Sequence, residues 1–343
     1  MIERQLILVT GGGGFLGRHI VRALQAENIC VRVFGQREHP ELTAEGVEVH
    51  CGDIRDAPAV QAACQGVDGV IHTAGIAGAG AQKKPYFDTN VSGTRNLLQA
   101  CKEHGVPRMV FTSSPSAVSA WGNIVDGDES LPYPRRFPAA YPRSKAIAEQ
   151  DVIGAASDTL ATCVLRPHLI WGPGDCHLIP HIVDLARRNR LIRIGDGTNR
   201  VSLTHVHNAA KAHLQAMNAL TPQSVLNGRV YFIADSAPVV LWDWIDELLT
   251  ALDLPPIRGA LPLPAAQLIG IGLDAVRRLA PGFNGPNLSR FLAIQLGTSH
   301  CFQTQRAEQD FGYAPIVDND YGKKELIQCL KNTAQPRWKT NSR

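Results

Sequence analysis

The segment that decides the fold is Leu6-Ile-Leu-Val-Thr10, followed directly by Gly11-Gly-Gly-Gly14-Phe-Leu-Gly17. Its first half is a short apolar run that predicts a buried strand, and Arg18-His-Ile-Val-Arg-Ala-Leu24 predicts a helix after the glycines. In such a strand–turn–helix unit, glycines three residues apart allow a tight turn, the approach of backbone N–H groups to a pyrophosphate, and close helix–strand packing. The helix N-terminus adds partial positive charge beneath the phosphates. The segment therefore predicts a dinucleotide-binding loop, with contacts from Gly11, Gly14, Phe15, Leu16 and Gly17.

Short apolar runs alternate with helical segments through the first half of the chain. The predicted strands are Leu6–Val9, Cys30–Phe34, Val47–His50, Gly69–His72, Met109–Thr112 and Thr162–Leu165. The predicted helices are Gly14–Ala26, Ala57–Cys64, Phe87–Glu103 and Ala140–Ala155. Because runs without polar alternation are typical of parallel strands buried on both faces, we predict an α/β fold with a Rossmann-type doubly wound parallel sheet.

The pattern changes after Pro167, where prolines and glycines cluster and helical segments dominate. We predict that residues 1–167 form an NAD(P)-binding Rossmann domain and residues 168–343 a smaller, mostly helical substrate-binding lobe. Ligands of such folds bind in the crevice outside the carboxyl ends of the strands, so the second lobe is expected to close over that crevice.

Composition and charge exclude several classes of protein. The 343 residues carry 34 Lys and Arg against 31 Asp and Glu, an excess too small for a nucleic-acid-binding surface. The eight cysteines include no Cys-x-x-Cys pair, and the start shows no secretory signal, so we expect a reduced, cytoplasmic protein. The histidine pairs His177/His181 and His205/His207 lack a third ligand in register, so we predict no metal site.

The end of the second predicted strand indicates which dinucleotide is bound. Gly35 stands where an acidic residue that binds the ribose 2′-hydroxyl is expected, and Arg37 follows two residues later. A guanidinium beside an unblocked pocket favours a 2′-phosphate, so we predict a preference for NADP(H), with NAD(H) as the alternative. In that alternative, Arg37 stacks on adenine or lies in solvent. Further predicted cofactor contacts are Asp53 and Ile54 at the adenine and Thr73 and Ala74 beside the pyrophosphate.

Tyr141-Pro-Arg-Ser-Lys145 places a phenol and an ammonium on one face of a predicted helix. A tyrosine with its ordinary pKa near 10 is a poor base at neutral pH, but a neighbouring ammonium and a positive nicotinamide stabilise the phenolate. Lys145 is also expected to bind the nicotinamide ribose. Ser114 ends a predicted strand upstream and is the candidate for orienting a substrate oxygen, with Ser113 and Ser116 as alternatives. The set predicts hydride transfer between a nicotinamide and a carbinol or ketone carbon.

Several motifs together resemble a known family. The chain resembles the extended short-chain dehydrogenases/reductases at Thr10–Gly17, Asn90–Thr94, Ser113–Ser114, Tyr141–Lys145 and Leu165–Pro167. It resembles their 3β-hydroxysteroid dehydrogenase/isomerase branch at Thr112–Val118, Asp128–Tyr133, Ile170–Asp175 and Phe311–Pro315. Within that branch it is most similar to the bacterial 2-alkyl-3-oxoalkanoate reductases over Tyr141–Gln150, Leu165–Pro180 and Gly195–Ala210.

The resemblance implies a role for each matching residue. Ser114, Tyr141 and Lys145 would form the catalytic triad. Asn90 would cap a helix near the cofactor, and Pro167 and His168 would flank the nicotinamide amide. The chain departs from the family at His205 and His207, where members often carry a tyrosine and an acidic residue.

The apolar stretch Gly259–Leu273, followed by a cationic end at Arg277 and Arg278, indicates a lipid-like substrate. Residues 259–281 are expected to form an amphipathic lid over an apolar pocket or to contact a membrane surface, and an ordinary core helix is the other interpretation. With 15 residues, the stretch is shorter than the roughly 18 needed to span a bilayer.

We therefore predict an enzyme that interconverts a 3-oxo and a 3-hydroxy group on a bulky apolar substrate, a 2-alkyl-3-oxoalkanoate or a sterol. The sequence leaves the oligomeric state open, and a homodimer is one expectation because such folds often dimerise through two helices. A nucleotide-sugar epimerase is the alternative, with Arg187, Arg188 and Arg190 among the cations for a diphosphate. Dehydration is disfavoured because Pro115 and Ser116 replace the acidic pair of the dehydratases. A non-catalytic cofactor sensor is disfavoured because the tyrosine–lysine pair is intact.

Overall fold

The computed structural model describes residues 5–78, 82–119, 121–280, 283 and 288–332. Its strands are β1 Leu6–Thr10, β2 Cys30–Gly35, β3 Glu48–Cys51, β4 Gly69–His72, β5 Arg108–Thr112, β6 Ile124–Gly127, β7 Ala161–Pro167, β8 Ile170–Trp171, β9 Arg193–Ile194, β10 Arg200–Val201, β11 Thr204–His205, β12 Arg229–Ile233, β13 Val239–Val240, β14 Ala260–Leu261 and β15 His300–Phe302. Its helices are α1 Phe15–Ala26, α2 Pro40–Ala44, α3 Ala57–Cys64, α4 Lys84–Phe87, α5 Gly93–Glu103, α6 Ala140–Gly154, α7 Leu178–Arg187, α8 Val206–Ala219, α9 Leu241–Ala251, α10 Leu263–Leu279, α11 Arg290–Gly297, α12 Gln305–Phe311 and α13 Asn319–Asn332.

A seven-stranded parallel sheet in the order β12-β7-β5-β4-β1-β2-β3 forms the centre of the molecule. The order reverses direction at β1, as in a doubly wound sheet, so the carboxyl ends of β1 and β4 meet at the switch point where ligands bind. The predicted fold class is confirmed. All six predicted strands lie in this sheet. The apolar runs of β1, β4, β5 and β7 are buried on both faces, whereas the edge strand β3 is partly exposed.

Helices cover both faces of the sheet. One buried cluster joins β1, β2 and β7 to α1 and α8, and a second joins β4 and β5 to α3, α5 and α6. A third cluster, built around Trp171, Trp242 and Trp244, lies in the second half of the chain. The predicted helix over 87–103 is interrupted at its start, because residues 88–92 form a π-helical turn between α4 and α5.

The chain returns to the central sheet after Pro167. Strand β12 pairs with β7, and α8 packs against α1 in the same buried cluster. The division into residues 1–167 and 168–343 stays a prediction. Strand β12 and helix α8, which belong to residues 168–343, pack against elements of residues 1–167. The strand over Arg229–Ile233 was missed, although its apolar run after Asn227-Gly228 is a strand signal.

Helix α10 carries the apolar stretch and lies on the surface. Only Ala266 and Gly270 are buried, whereas Leu268 is 70% and Leu279 is 87% exposed. A Cβ at Gly270 would meet the backbone of Arg290 at 2.5 Å, so α10 and α11 are packed backbone to backbone there. The interpretation as an ordinary core helix is therefore wrong. Residue 281 of the predicted 259–281 segment lies outside the described residues. No helix in the described part of the chain has the length and apolarity to cross a bilayer.

Candidate active site

The glycine loop joins β1 to α1 in a shape that only glycine can adopt. Gly11 has a φ of +69°, and a Cβ there would lie 2.9 Å from the backbone nitrogen of Ala74. A Cβ at Gly17 would collide with the carbonyl oxygen of Gly11. Gly14 precedes the first turn of α1 without a side-chain cap, so the N–H groups there remain available to an anion. The loop is a cradle that fits a pyrophosphate, and Phe15 and Leu16 begin the helix beneath it.

The carboxyl end of β2 is open. A Cβ at Gly35 would meet nothing within 4 Å, and Arg37 is exposed, with no hydrogen bond or ion pair to any described residue. Arg18 lies close by, where its Nε donates to the Gly13 carbonyl oxygen at 2.9 Å and its guanidinium pairs with Glu41. Sequence reasoning missed Arg18, although it directly follows the glycine motif.

Asp53 and Ile54 lie after β3, on the same side as Gly35. Hydrogen bonds from Arg55 hold the pKa of Asp53 well below its usual range, and Gln36 donates to the same carboxylate at 2.8 Å. Ile54 is buried against Gly93 at the start of α5. Both oxygens of this carboxylate already accept hydrogen bonds from Arg55, so an adenine amine would compete with the guanidinium for them. The assignment of Asp53 and Ile54 to the adenine site stays a prediction.

A buried polar chain fixes the end of β4. His72 contacts Thr10 Oγ1 through Nδ1 at 2.7 Å and Thr94 Oγ1 through Nε2 at 3.0 Å. Burial, with a contribution from the Lys145 charge, lowers the pKa of His72 to about 3, so this ring is neutral. The Thr73 hydroxyl donates to the Thr10 carbonyl oxygen at 2.8 Å, and Ala74 lies against Gly11. The predicted neighbours of the pyrophosphate, Thr73 and Ala74, therefore do face the glycine loop.

Asn90 lies inside the π-helical turn, and its side chain links neighbouring segments by hydrogen bonds rather than capping a helix. Its Nδ2 donates to the Ile76 carbonyl oxygen and to Ser144 Oγ, and its Oδ1 accepts from the Ile76 N–H at 2.7 Å. Ser144 in turn donates to the Tyr141 carbonyl oxygen at 2.8 Å. Asn90 thus ties the loop after β4 to the first turn of α6, which carries the tyrosine.

The predicted catalytic hydroxyls come together. Tyr141 lies in the first turn of α6, and its phenol interacts with the hydroxyls of Ser114 and Ser116. Burial raises the pKa of Tyr141, and these two hydrogen bonds oppose the rise. Ser116 Oγ donates to Ser114 Oγ at 3.0 Å, whereas the Ser113 hydroxyl is buried and has no hydrogen-bond partner among the described residues. Of the three candidate serines, the structure therefore brings Ser114 and Ser116 to the phenol.

Lys145 lies one helical turn after Tyr141 and is buried. Its Nζ donates to the Thr112 carbonyl oxygen at 2.7 Å and lies 4.7 Å from the centre of the Phe111 ring. Burial lowers the pKa of Lys145 to about 8, and the charge of Glu149 partly opposes that shift. The ammonium is thus held at the carboxyl end of β5, close to Gly75, where a ribose would lie.

Two charged residues behind this site were missed by the sequence analysis. Glu149 follows Lys145 by one further turn, and its buried carboxylate pairs with the buried guanidinium of Arg166 on β7. Tyr133 donates to the same carboxylate at 2.5 Å. A charged residue within an otherwise apolar strand, such as Arg166, is the signal that could have indicated this pair.

The two residues after β7 that were expected near the nicotinamide are firmly held. Pro167 ends the strand, and the His168 N–H donates to Thr204 Oγ1 at 3.1 Å. His168 Nδ1 lies 2.6 Å from the Ser202 carbonyl oxygen, and its Nε2 has no hydrogen-bond partner within the part of the chain that the structure describes. Burial lowers the pKa of His168 to about 4, so the ring is neutral. Whether these residues contact a nicotinamide stays a prediction.

Aromatic side chains from different elements surround the Tyr141 ring. Tyr86 of α4 lies 6.3 Å and Phe291 of α11 lies 6.1 Å from it, between ring centres. Helix α11 packs on α10 at Gly270 and lies against the Tyr141 ring at Phe291. The surface helix α10 is therefore connected to the reactive phenol through α11.

A glycine cradle at a Rossmann switch point, with a Ser–Tyr–Lys set at the adjoining strand end, defines the class of the protein as an NAD(P)-dependent dehydrogenase or reductase. The chain belongs to the 3-beta hydroxysteroid dehydrogenase/isomerase family, whose family model matches residues 8–263. The expected family is confirmed.

Individual relatives cover nearly the whole chain. The chain is 41% identical over 322 residues to the 2-alkyl-3-oxoalkanoate reductase of Stenotrophomonas maltophilia, covering 93% of this chain and 98% of that protein. It is 30% identical over 337 residues to the human sterol-4-alpha-carboxylate 3-dehydrogenase, decarboxylating, covering 94% and 88% of the two proteins. The solved UDP-glucose 4-epimerase of Thermus thermophilus, in complex with NAD, matches with a TM-score of 0.72 at 22% identity, over 95% of this chain and 99% of that one. At that identity, the epimerase shows a shared fold alone.

Proposed function

We propose that this enzyme interconverts a 3-oxo and a 3-hydroxy group on a bulky apolar substrate, with a 2-alkyl-3-oxoalkanoate as the first candidate and a sterol as the second. The observation that carries the proposal is the Tyr141 phenol, placed against the Ser114 and Ser116 hydroxyls with the buried Lys145 one turn away. The names of the two relatives above support the two substrate classes.

Each residue has a chemical task in this proposal. When bound, the dinucleotide supplies or accepts the hydride at the substrate carbon. Tyr141 donates the proton to the substrate oxygen during reduction, and its raised pKa keeps the phenol protonated at neutral pH. Ser114 donates a hydrogen bond that polarises the same oxygen. Lys145 holds a positive charge beside the phenol, which stabilises the phenolate left after proton transfer.

We further propose that the enzyme prefers NADP(H) over NAD(H). The open carboxyl end of β2 at Gly35 leaves room for a 2′-phosphate, and the unpaired guanidinium of Arg37 is available to bind it. No acidic side chain stands at the end of β2 to repel that phosphate.

Helix α10 is the candidate for contact with apolar phases. Leu268, Ile269 and Ile271 are exposed on it, and Arg277 and Arg278 follow in its last turn. We propose that this surface rests on a membrane and receives the apolar substrate. Leu268→Glu should weaken co-sedimentation with anionic vesicles without changing turnover of a short-chain substrate, and unchanged co-sedimentation would refute the contact. The expected homodimer and cytoplasmic location stay predictions, and light scattering would test the dimer.

The test of the function is oxidation of the reduced nicotinamide with a 2-alkyl-3-oxoalkanoate and with a 3-ketosteroid. Chromatography of the sugar nucleotide tests UDP-glucose, because epimerisation returns the hydride and leaves no net oxidation of the cofactor. We expect turnover of at least one of the two 3-oxo compounds, with NADPH better than NADH, and no change in UDP-glucose. Epimerisation of UDP-glucose without turnover of either 3-oxo compound would overturn the proposal. The Tyr141→Phe variant serves as the blank for cofactor oxidation that does not depend on the site.

A further inference from the structure

A second cluster of reactive side chains lies outside the proposed active site. His205, at the end of β11, and His207, in the first turn of α8, face Glu325 of α13. One ligand atom from each residue lies within 4.8 Å of the others, and His205 Nε2 is 3.7 Å from Glu325 Oε2. No metal site was expected because a third ligand was missing, and the fold supplies that ligand from a helix far along the chain.

The atoms that face each other in this cluster have no other partner. The His205 side chain is fully buried, and neither its Nε2 nor Glu325 Oε2 has a hydrogen-bond partner among the described residues. Their separation of 3.7 Å is too long for a hydrogen bond. Buried polar atoms without partners are rare in proteins, so this pair requires an explanation, and an ion between them is one.

The surrounding structure holds the His205 ring in place. The Trp171 ring packs edge-on with its centre 4.9 Å away, and a Cβ at Gly322 would lie only 2.8 Å from His205 Cδ2. The His205 N–H donates to Asp235 at 2.8 Å, which fixes the backbone as well. The ring is therefore presented to Glu325 rather than free to turn away from it.

The protonation state of His205 suits a metal ligand. Burial lowers the pKa of His205 to about 4, with the charges of His207 and His19 contributing, so the ring is neutral at pH 7. A neutral imidazole and an ionised carboxylate are the forms that bind metals. Coordination through Nε2 places the proton on Nδ1, so His205 would give up the N-cap hydrogen bond that Nδ1 accepts from the His207 N–H at 3.4 Å.

We propose that His205, His207 and Glu325 bind one divalent transition-metal ion, and that Zn²⁺ fits this donor set best. Two imidazoles and one carboxylate are a common zinc ligand set, and tetrahedral bonds of about 2.0–2.2 Å place ligand atoms about 3.4 Å apart. The His205–Glu325 separation is close to that value. His207 and Glu325 are only partly buried, so rotation of their side chains can close the remaining distance.

The site would join parts of the fold that are distant along the chain. Helix α13 would be fastened to the start of α8, which packs against α1. The His19 ring of α1 lies 4.8 Å from the His207 ring, between centres, and is a candidate for the fourth position. Its Nε2 lies 3.2 Å from the Pro173 carbonyl oxygen, so its Nδ1 would be the ligand atom. The ion would thus stabilise the fold without taking part in hydride transfer.

The experiment uses the untagged full-length chain after dialysis against EDTA. Titration with ZnCl₂ in a calorimeter gives stoichiometry and affinity, and titration with CoCl₂ gives a visible spectrum that reports nitrogen and oxygen ligands. We expect one Zn²⁺ per chain and a higher melting temperature with the ion. Glu325→Gln and His207→Ala should each weaken binding more than about tenfold, since even loss of an outer-shell partner has an effect of that size.

His181→Ala is the matched control, because His181 belongs to the other histidine pair, His177/His181. It should bind Zn²⁺ like the unmodified chain. Absence of saturable binding at micromolar Zn²⁺ would overturn the proposal. So would loss of binding in His181→Ala with retention in Glu325→Gln, since the ion would then lie at the other pair. The zinc-dependent melting temperature of the unmodified chain provides a readout that does not depend on any variant folding.

Discussion

The buried pair Glu149–Arg166 connects the helix that carries Tyr141 and Lys145 to the central sheet, and Glu149→Gln is the sharpest probe of that connection. Both side chains are at most 2% exposed, and Arg166 Nε donates to Glu149 Oε2 at 3.1 Å. Glutamine keeps the volume and one acceptor oxygen but removes the charge. The glutamine amide would also bring an N–H donor against the Arg166 guanidinium or the Tyr133 hydroxyl. In the unmodified protein both of these groups donate to the Glu149 carboxylate.

The expected cost follows from the burial of Arg166. Removing one partner of a buried ion pair typically costs about 3–5 kcal/mol, because the remaining charge is left without compensation in a low-dielectric site. For a chain of this length, each kcal/mol lowers the melting temperature by roughly 1.4 °C, so a decrease of roughly 4–7 °C is expected. Since the Glu149 charge raises the pKa of Lys145, the alkaline limb of the activity profile should also move to lower pH.

Denaturant unfolding and differential scanning calorimetry measure the stability of Glu149→Gln, and a steady-state pH profile measures the effect on Lys145. The matched control is Glu149→Gln/Arg166→Met, which removes both charges and should recover most of the lost stability. A stability within about 1 kcal/mol of the unmodified protein for the single variant would refute this account of the pair.

Two further predictions concern the cofactor and the lysine. Arg37→Ala should weaken NADPH binding about tenfold or more and change NADH binding by less than about twofold, measured by fluorescence titration, because only NADPH carries the 2′-phosphate. Arg258→Ala removes an exposed cation outside the predicted cofactor site and is its control; equal losses for both cofactors would contradict the NADP(H) preference. Burial lowers the pKa of Lys145 from 10.5 to about 8, so the folded protein binds fewer protons than the unfolded chain between these values and gains stability as pH rises through them. Lys145→Met should therefore abolish turnover yet stabilise the fold at pH 7 by up to about 3 kcal/mol. This gain in stability should disappear as the pH approaches the pKa of lysine in the unfolded chain. A loss of stability at pH 7 would contradict this explanation of the lowered pKa of Lys145.

Local patterns were sufficient to predict the nucleotide-binding half. Strand β1, the glycine loop and α1 are adjacent in sequence, so spacing alone places Gly11 and Gly17 where the structure has them. The tyrosine and lysine share one helix, and their separation of one turn follows from helical geometry. Ser114 reaches Tyr141 because β5 and α6 meet at the same edge of the sheet, which the alternation of strands and helices predicts.

Contacts between distant segments could not be predicted in the same way. Glu149 and Arg166 lie on a helix and a strand whose facing surfaces depend on how α6 packs on the sheet. Glu325 lies near His205 only because α13, which is distant along the chain, packs next to the end of β11. No sequence periodicity predicts that contact. The exposed face of α10 is likewise a result of tertiary packing, since an apolar run reads the same whether it is buried or not.

The measurement that tests the central claim most directly is single-turnover reduction of a 2-alkyl-3-oxoalkanoate by the Tyr141→Phe variant, with NADPH affinity determined in parallel. Loss of a positioned general acid should slow turnover by about a hundredfold or more, while NADPH binds as it does to the unmodified enzyme. Phenylalanine keeps the ring between Tyr86 and Phe291, so the packing of the site is preserved. Turnover that stays close to that of the unmodified enzyme would contradict the assignment of Tyr141 as the proton donor.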